Sequence, residues 1–116
     1  MAEKESLPKE LVAASATPLV LSILARGESY GYEILQRVRE LSGGRLEWTD
    51  GMLYPILHRL EEQGLVKAVW KTSEAGRKRK YYRLREAGKD AIDAQRAQWN
   101  LVNEALQASW GVRHAR

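Results

Sequence analysis

The stretch Thr49-Asp50-Gly51-Met52-Leu53-Tyr54-Pro55-Ile56-Leu57-His58-Arg59-Leu60-Glu61-Glu62-Gln63 permits few conformations. Leu53, Ile56, Leu57 and Leu60 recur at the i, i+3, i+4, i+7 spacing of a helix with one buried face. Tyr54, His58, Arg59, Glu61 and Glu62 fall on its other sides. Proline is tolerated in the first turn of a helix, where its missing N–H has no intrahelical partner. Pro55 therefore predicts a regular helix beginning near Met52, with Thr49-Asp50-Gly51 leading into it. Gly64 follows at once and can take the left-handed conformation that ends a helix. Standing alone, such a stretch is more often an ordinary amphipathic helix with a solvated face. Followed directly by a strongly basic segment, it reads as a DNA-recognition helix.

That basic segment dominates the charge distribution. Residues 65–85 carry Lys67, Lys71, Arg77, Lys78, Arg79, Lys80, Arg83 and Arg85 against the single acid Glu74. The local charge is +7 in a chain whose total is +4, so the remainder is net acidic. A concentrated basic patch on an acidic background points to a polyanion partner. The 116 residues suffice for one domain with an added helix. The absence of Cys excludes disulfides, thiolate metal sites and cysteine nucleophiles. His58 and His114 have no second ligand at metal spacing, and neither a nucleophile–base pair nor a phosphate-binding glycine loop occurs. The expectation is a non-enzymatic protein without cofactor or metal. No long apolar run or signal peptide is apparent, which predicts a cytoplasmic protein that does not associate with membranes.

In order, Met1–Ser6 reads as frayed, and Ser6-Leu7-Pro8 as a helix start capped by Ser6. The helix runs to Gly27, with Pro18 expected to kink it or to split it in two, Thr17 then capping the second part. Ser29 can cap a second helix reaching about Leu41, with Ile34, Leu35, Val38 and Leu41 as its buried stripe and Ser42-Gly43-Gly44 as its end. Arg45–Trp48 links to the helix described above, as a short extended segment. Leu65–Thr72 and Lys80–Leu84 are β-like, joined through Ser73–Arg77, where Gly76 supplies a positive φ. Tyr81 and Tyr82 must point to opposite faces of their strand. Three helices followed by a basic hairpin is the order of a winged helix-turn-helix domain.

Glu86 to about Trp110 reads as one long helix. Ile92, Trp99, Val102, Leu106 and Trp110 (or Ser109 in its place) track an a/d-like seam. With the three-helix core already filled, a second copy of the chain is the expected partner of that seam. The fold class is thus mainly α with a β-hairpin wing (α+β), a winged helix-turn-helix with a long C-terminal dimerisation helix. Residues 7–85 form the DNA-binding domain and 86–110 the dimerisation helix.

Ser29-Tyr30-Gly31-Tyr32-Glu33-Ile34, Met52-Leu53-Tyr54-Pro55-Ile56-Leu57-His58-Arg59-Leu60-Glu61, Gly64-Leu65-Val66 and Gly76-Arg77-Lys78-Arg79-Lys80-Tyr81-Tyr82-Arg83-Leu84 resemble the PadR family of bacterial transcriptional repressors. The similarity runs from about Pro8 to Trp110. The single C-terminal helix resembles the short subgroup, some members of which bind planar drugs between Trp side chains at the dimer centre; Trp99 matches that Trp. The resemblance implies a homodimer on a palindromic double-stranded operator, released by a planar aromatic effector. Arg85 stands where the family usually has a helix-capping Thr.

In a helix-turn-helix, residues near the start of the recognition helix reach base edges. That singles out Thr49, Asp50, Met52 and Tyr54, with His58 and Arg59 one turn on; Arg59 alternatively pairs with Glu62 or Glu33. Tyr30 and Tyr32 open the second helix; the sequence leaves open which is the core or phosphate residue, and Tyr32 is taken as the DNA candidate. Arg77, Lys78, Arg79 and Lys80 are candidates to straddle the phosphate backbone or enter the minor groove. Around Trp99, Arg96 and Asn103 favour a neutral or anionic planar effector over a cation. The alternatives are that Trp99 only fills the interface core of a regulator without effector, or that the chain is a winged-helix protein-interaction module.

Overall fold

The computed structural model describes residues 7–111. In order these form α1 (Lys9–Leu24), β1 (Ser29–Tyr30), α2 (Gly31–Leu41), α3 (Asp50–Glu62), β2 (Val66–Thr72), β3 (Lys78–Leu84) and α4 (Glu86–Trp110). The expected order of three helices, hairpin and long helix is present. One element is added: β1, which makes the hairpin a three-stranded antiparallel sheet of order β1-β3-β2. Ser29 pairs with Tyr82 and Tyr30 with Tyr81, so the segment between α1 and α2 is stitched to the inner wing strand.

The core lies where α1, α2 and α3 meet one face of this sheet. Val20, Leu21, Ile34, Val38, Leu53, Leu57, Leu60, Val66 and Tyr82 are essentially inaccessible to water. Leu53, Ile56, Leu57 and Leu60 all fall in that core, as their spacing predicts. In α2, Ile34 and Val38 are buried and Leu35 packs beside them, but Leu41 is exposed. Only the second half of α1 carries its buried residues, from Ala16 to Leu24. Its first half runs along the surface beside an apolar groove of about 610 Å³.

Three local expectations are corrected. Of the two expectations at Pro18, the split with a Thr17 cap is excluded, because the first helix is continuous from Lys9 to Leu24. Pro18 has no N–H to give to the Ala14 carbonyl, and Ala14 is exposed, so water can take the donor's place. The cap position of α1 is Pro8, which makes no side-chain bond; Ser6 and the Met1–Ser6 segment lie outside the described residues. Ser29 does not cap α2: its backbone belongs to β1, Tyr30 occupies the cap position, and the Ser29 hydroxyl donates to Glu33 Oε1 at 2.9 Å. Finally, α3 begins at Asp50 rather than near Met52, which places Pro55 in its second turn. The Gly51 carbonyl thereby loses its donor, again at an exposed residue.

The last helix starts at an uncapped Arg85. Its first turns are nonetheless fixed. Gly88 is buried so closely against the hairpin base that a β-carbon there would strike the Leu65 carbonyl oxygen and the Leu84 side chain. Ala91 and Ile92 pack on the core, and α4 crosses α1 near Pro18 and Ser22. Trp99 stands at that crossing, partly exposed, and beyond it the helix carries Leu101, Val102, Leu106 and Trp110 into solvent.

Candidate nucleic-acid interface

Thr49 caps α3: its Oγ1 accepts from the Met52 amide at 3.3 Å, and its carbonyl accepts from Met52 and Leu53 at 3.0 Å. The bond from Leu53 is the first regular helical one, and the cap satisfies the Met52 amide, one of those that a helix start leaves open. Thr49 and Asp50 are exposed at that end, and His58 is exposed further along. Tyr54 leans over the start of α2, its ring against Gly31. Met52 and Arg59 turn the other way. Together with Ile56 they line the groove beside α1, facing Val12, Ala16 and the buried Trp48. Arg59 Nη2 reaches Thr17 Oγ1 at 3.5 Å, a long contact and neither of the carboxylate pairings considered for it.

The two tyrosines at the start of α2 have separate surroundings. Tyr30 is built into the sheet: its ring meets Tyr81 edge-on at 5.2 Å, and the Arg79 guanidinium lies 4.4 Å from its centroid. Tyr32 is 64% exposed, and its hydroxyl accepts from Gln36 Nε2 at 2.7 Å. Of the pair, Tyr32 is the one open to a partner.

The hairpin register pairs Val66 with Leu84, Ala68 with Tyr82, Trp70 with Lys80 and Thr72 with Lys78. Strand alternation therefore separates the four consecutive cations. Arg77 and Lys78 are exposed at the tip, where Gly76 (φ +82°) lets the loop close. Arg79 lies on the outer face over Tyr30. Lys80 lies on the inner face, its ammonium 5.6 Å from the Tyr82 ring and 6.0 Å from that of Trp70. Tyr82 itself is buried, its hydroxyl without a hydrogen-bond partner among the described residues. Burial pushes its phenol up; the Lys80 ammonium opposes this.

Sequence reasoning passed over Glu28 and Trp70 here, and left the role of Tyr30 open. Glu28 forms an ion pair with Lys71, and its Oε1 also accepts from Arg83 Nη2 at 3.1 Å, so two wing cations are tied to the α1–α2 connection. Hydrogen bonding by Lys71, then by Arg83, holds the Glu28 carboxyl below its usual range. Tyr30 becomes a platform for Arg79 only because β1 pairs with β3. Trp70, 62% exposed, continues the row of Val66 and Ala68 past the edge of the core. The period-2 pattern could have placed Trp70 on that row; nothing local marks Glu28 or a two-residue strand.

On α4, Trp99 and Arg96 share a shallow depression with Pro18, Ser22, Ile92 and Gln95. The Gln95 Oε1 there is buried without a partner among the described residues. Asn103 stands one turn further along and does not line it. Among the described residues no cluster of His, Cys, Asp and Glu could hold a metal ion, and no helix is long and apolar enough to cross a membrane.

A basic hairpin beside a capped, half-exposed third helix is the arrangement of winged-helix regulators, and comparison with known proteins agrees. Residues 20–94 match the transcriptional regulator PadR-like family. The transcriptional regulator Rv3488 of Mycobacterium tuberculosis is 34% identical over 99 residues, covering 84% of this chain and 89% of that one. The transcriptional regulator YqjI of Escherichia coli is 31% identical over 90 residues, covering 78% of this chain but 42% of YqjI. Among solved structures, a transcriptional regulator from Clostridium thermocellum superposes with a TM-score of 0.80 at 26% identity, over 90% of this chain and all of that one. A PadR family transcription regulator from Clostridium difficile gives 0.72 at 33% identity, over 84% and 99%. The chain belongs to the PadR-like family of transcriptional regulators, non-enzymatic DNA-binding proteins of winged-helix fold.

Proposed function

We propose that the protein is a homodimeric repressor that binds a palindromic operator and releases it when a planar aromatic molecule binds near Trp99. Residues 7–85 serve as the DNA-binding unit, and residues 86–110 as the dimerisation arm, its first turns anchored on the core. Thr49, Asp50, Tyr54 and His58 on α3, Tyr32 on α2, and Arg77 and Lys78 at the wing tip meet the duplex. Arg79 and Lys80 steady the wing and contribute charge. Met52 and Arg59, on the α1 side of α3, act at the margin of that surface.

The observation that carries the dimer is the apolar row on α4. Trp99, Val102, Leu106 and Trp110 are 37%, 49%, 41% and 65% exposed and recur at helical spacing. Burying side chains of this kind is worth about 2–3 kcal/mol each, so a second copy of the row is the natural cover. In a two-fold dimer, residues near the middle of the seam lie close to their symmetry mates. The depression beside Trp99 supports the effector site: an indole face, the Arg96 guanidinium and the unpartnered Gln95 oxygen suit a flat, neutral or anionic compound that carries a hydrogen-bond donor. The competing reading, that Trp99 only fills the interface, draws on its place in the same apolar row as Val102, Leu106 and Trp110.

The test is selection of DNA from a random pool by the purified protein, with sedimentation of the protein alone. A palindrome whose half-sites lie about 34–36 Å apart supports a dimer with two recognition helices one turn apart. A single asymmetric half-site, with a folded monomer at micromolar concentration, would sink the dimeric reading.

A further inference from the structure

Trp70 is an unusual residue to leave in water on a wing. It projects from the face of the hairpin that carries Val66 and Tyr82, both buried with Leu53, Leu57 and Leu60 of α3. The next pair along that row is Ala68 with Tyr82, and the one after it Trp70 with Lys80. At about 3.3 Å per residue, Trp70 stands some 7 Å closer to the wing tip than the last core pair. Its side faces the recognition helix, since Val66 and Tyr82 on the same face of the hairpin belong to the core that Leu53, Leu57 and Leu60 of α3 build. No side chain of the core covers it.

The two faces of the wing are electrically different. On the outer face Glu28 takes Lys71 and Arg83, and Tyr30 takes Arg79. On the inner face, Lys80 has only aromatic rings beside it, and Arg77 and Lys78 at the tip are exposed. Lys67 stands exposed on the outer face near the hairpin base. Toward the tip, Arg77, Lys78 and Lys80, the cations that neither Glu28 nor Tyr30 engages, lie at the turn or on the Trp70 side. An indole offers a flat apolar face and a single N–H donor, which together match a deoxyribose and its phosphate oxygen.

On these grounds we propose that Trp70, with Lys80 beside it, is a DNA-backbone contact in the cleft between wing and recognition helix. The indole packs on a deoxyribose and donates Nε1–H to a phosphate oxygen, while Lys80 meets the adjacent phosphate. The contact positions the duplex against α3 and reads no base. It rests on the wing being a DNA-facing element.

The experiment measures binding to a short random-sequence duplex over a series of salt concentrations. Trp70→Ala is expected to bind about tenfold more weakly, one decade in the equilibrium constant, with an unchanged salt slope, because no charge is lost. Lys80→Ala should lower the log–log slope by about 0.9, the value of one phosphate contact. The double variant Arg77→Ala/Lys78→Ala serves as the control for the wing. If it leaves both affinity and slope unchanged, the wing does not touch DNA and the underlying reading fails. If it flattens the slope while Trp70→Ala binds like the unaltered protein, the wing reading stands and the Trp70 contact is overturned. Should Trp70→Ala fold poorly, Trp70→Phe carries the test through fluorescence. DNA is expected to quench the part of the emission that Trp70→Phe lacks; equal quenching in both proteins overturns the proposal.

Discussion

The hydroxyl of Tyr54 occupies the space that a side chain at position 31 would need: an added β-carbon on Gly31 would overlap it, and would lie 3.0 Å from the ring carbon Cζ. Two motifs 23 positions apart in sequence are therefore one structural unit. The Tyr-Gly-Tyr at the start of α2 is shaped to receive the Leu-Tyr-Pro of α3, and this contact sets how the two helices of the helix-turn-helix meet.

Gly31→Ala should accordingly destabilise the fold by about 1 kcal/mol, the low end for overpacking, since the Tyr54 hydroxyl ends a partly exposed side chain that can yield in part, although alanine is the better helix former. Chemical denaturation of a double-mutant cycle with Tyr54→Ala checks the cause. The penalty at position 31 should largely vanish once the ring is gone; an equal penalty in both backgrounds would assign it to the backbone instead.

Gly88→Ala makes a parallel case at the other end of the domain. Helix propensity alone would favour alanine by about 1 kcal/mol. The β-carbon, however, would meet the Leu65 carbonyl oxygen, and that oxygen already accepts from the Arg85 amide at 2.9 Å. Backbone cannot step aside as a flexible side chain can. The variant should lose about 1–3 kcal/mol, and α4 should become the first segment to exchange its amide hydrogens. A gain in stability would mean that the start of α4 is free to shift.

The Glu28 brace predicts a pH dependence of fixed sign. Its carboxyl has a usual pKa of 4.5 and a lowered one in the folded protein, so the folded state favours the charged form. The stabilisation is therefore complete above pH 4.5 and is lost as pH falls through the lowered folded value. Glu28→Gln should melt lower than the unaltered protein at neutral pH, and the gap should close on acidification below 4.5. A gap of constant size would show that the ion pairs contribute nothing to it.

What the sequence conveyed depended on how local each signal was. The buried face of α3 and the alternation that separates Tyr81 from Tyr82 are written within single elements and could be read there, whereas Pro55 pulls the expected helix start to Met52 and so hides the Thr49 cap. The consequences of Pro18 and Pro55 were harder to read, because they depend on whether the carbonyls of Ala14 and Gly51 face water. Tertiary pairings were out of reach. Arg59 approaches Thr17, Lys71 and Arg83 find Glu28, and Arg79 covers Tyr30; in each case the partner lies on a different element. The run Arg77–Lys80 looked uniform as text, and only the register divided it into an exposed tip, an engaged outer face and an inner face beside Trp70.

Trp99 carries the regulatory expectation. It is 37% exposed and lines a shallow depression with Pro18 and Ser22 of α1, Arg96, and the Gln95 oxygen that has no partner among the described residues. An effector seated there can act only by favouring one dimer geometry over another, since a ligand with equal affinity for both shifts nothing. A flat molecule between α1 and the α4 seam would change how α4 leaves the core, and with it the separation of the two recognition helices. The prediction is that planar phenolic compounds quench Trp fluorescence and lower operator affinity. Trp99→Ala should abolish both effects while sedimentation and operator binding without effector stay close to those of the unaltered protein. The remaining apolar row, Val102, Leu106 and Trp110, is sufficient to hold the seam on this view. Dissociation of the Trp99→Ala protein into monomers would instead make Trp99 a part of the interface core and place any effector elsewhere. Gln95→Ala separates the two further: it removes the buried acceptor without touching the seam, and should weaken phenols more than analogues that lack the hydroxyl.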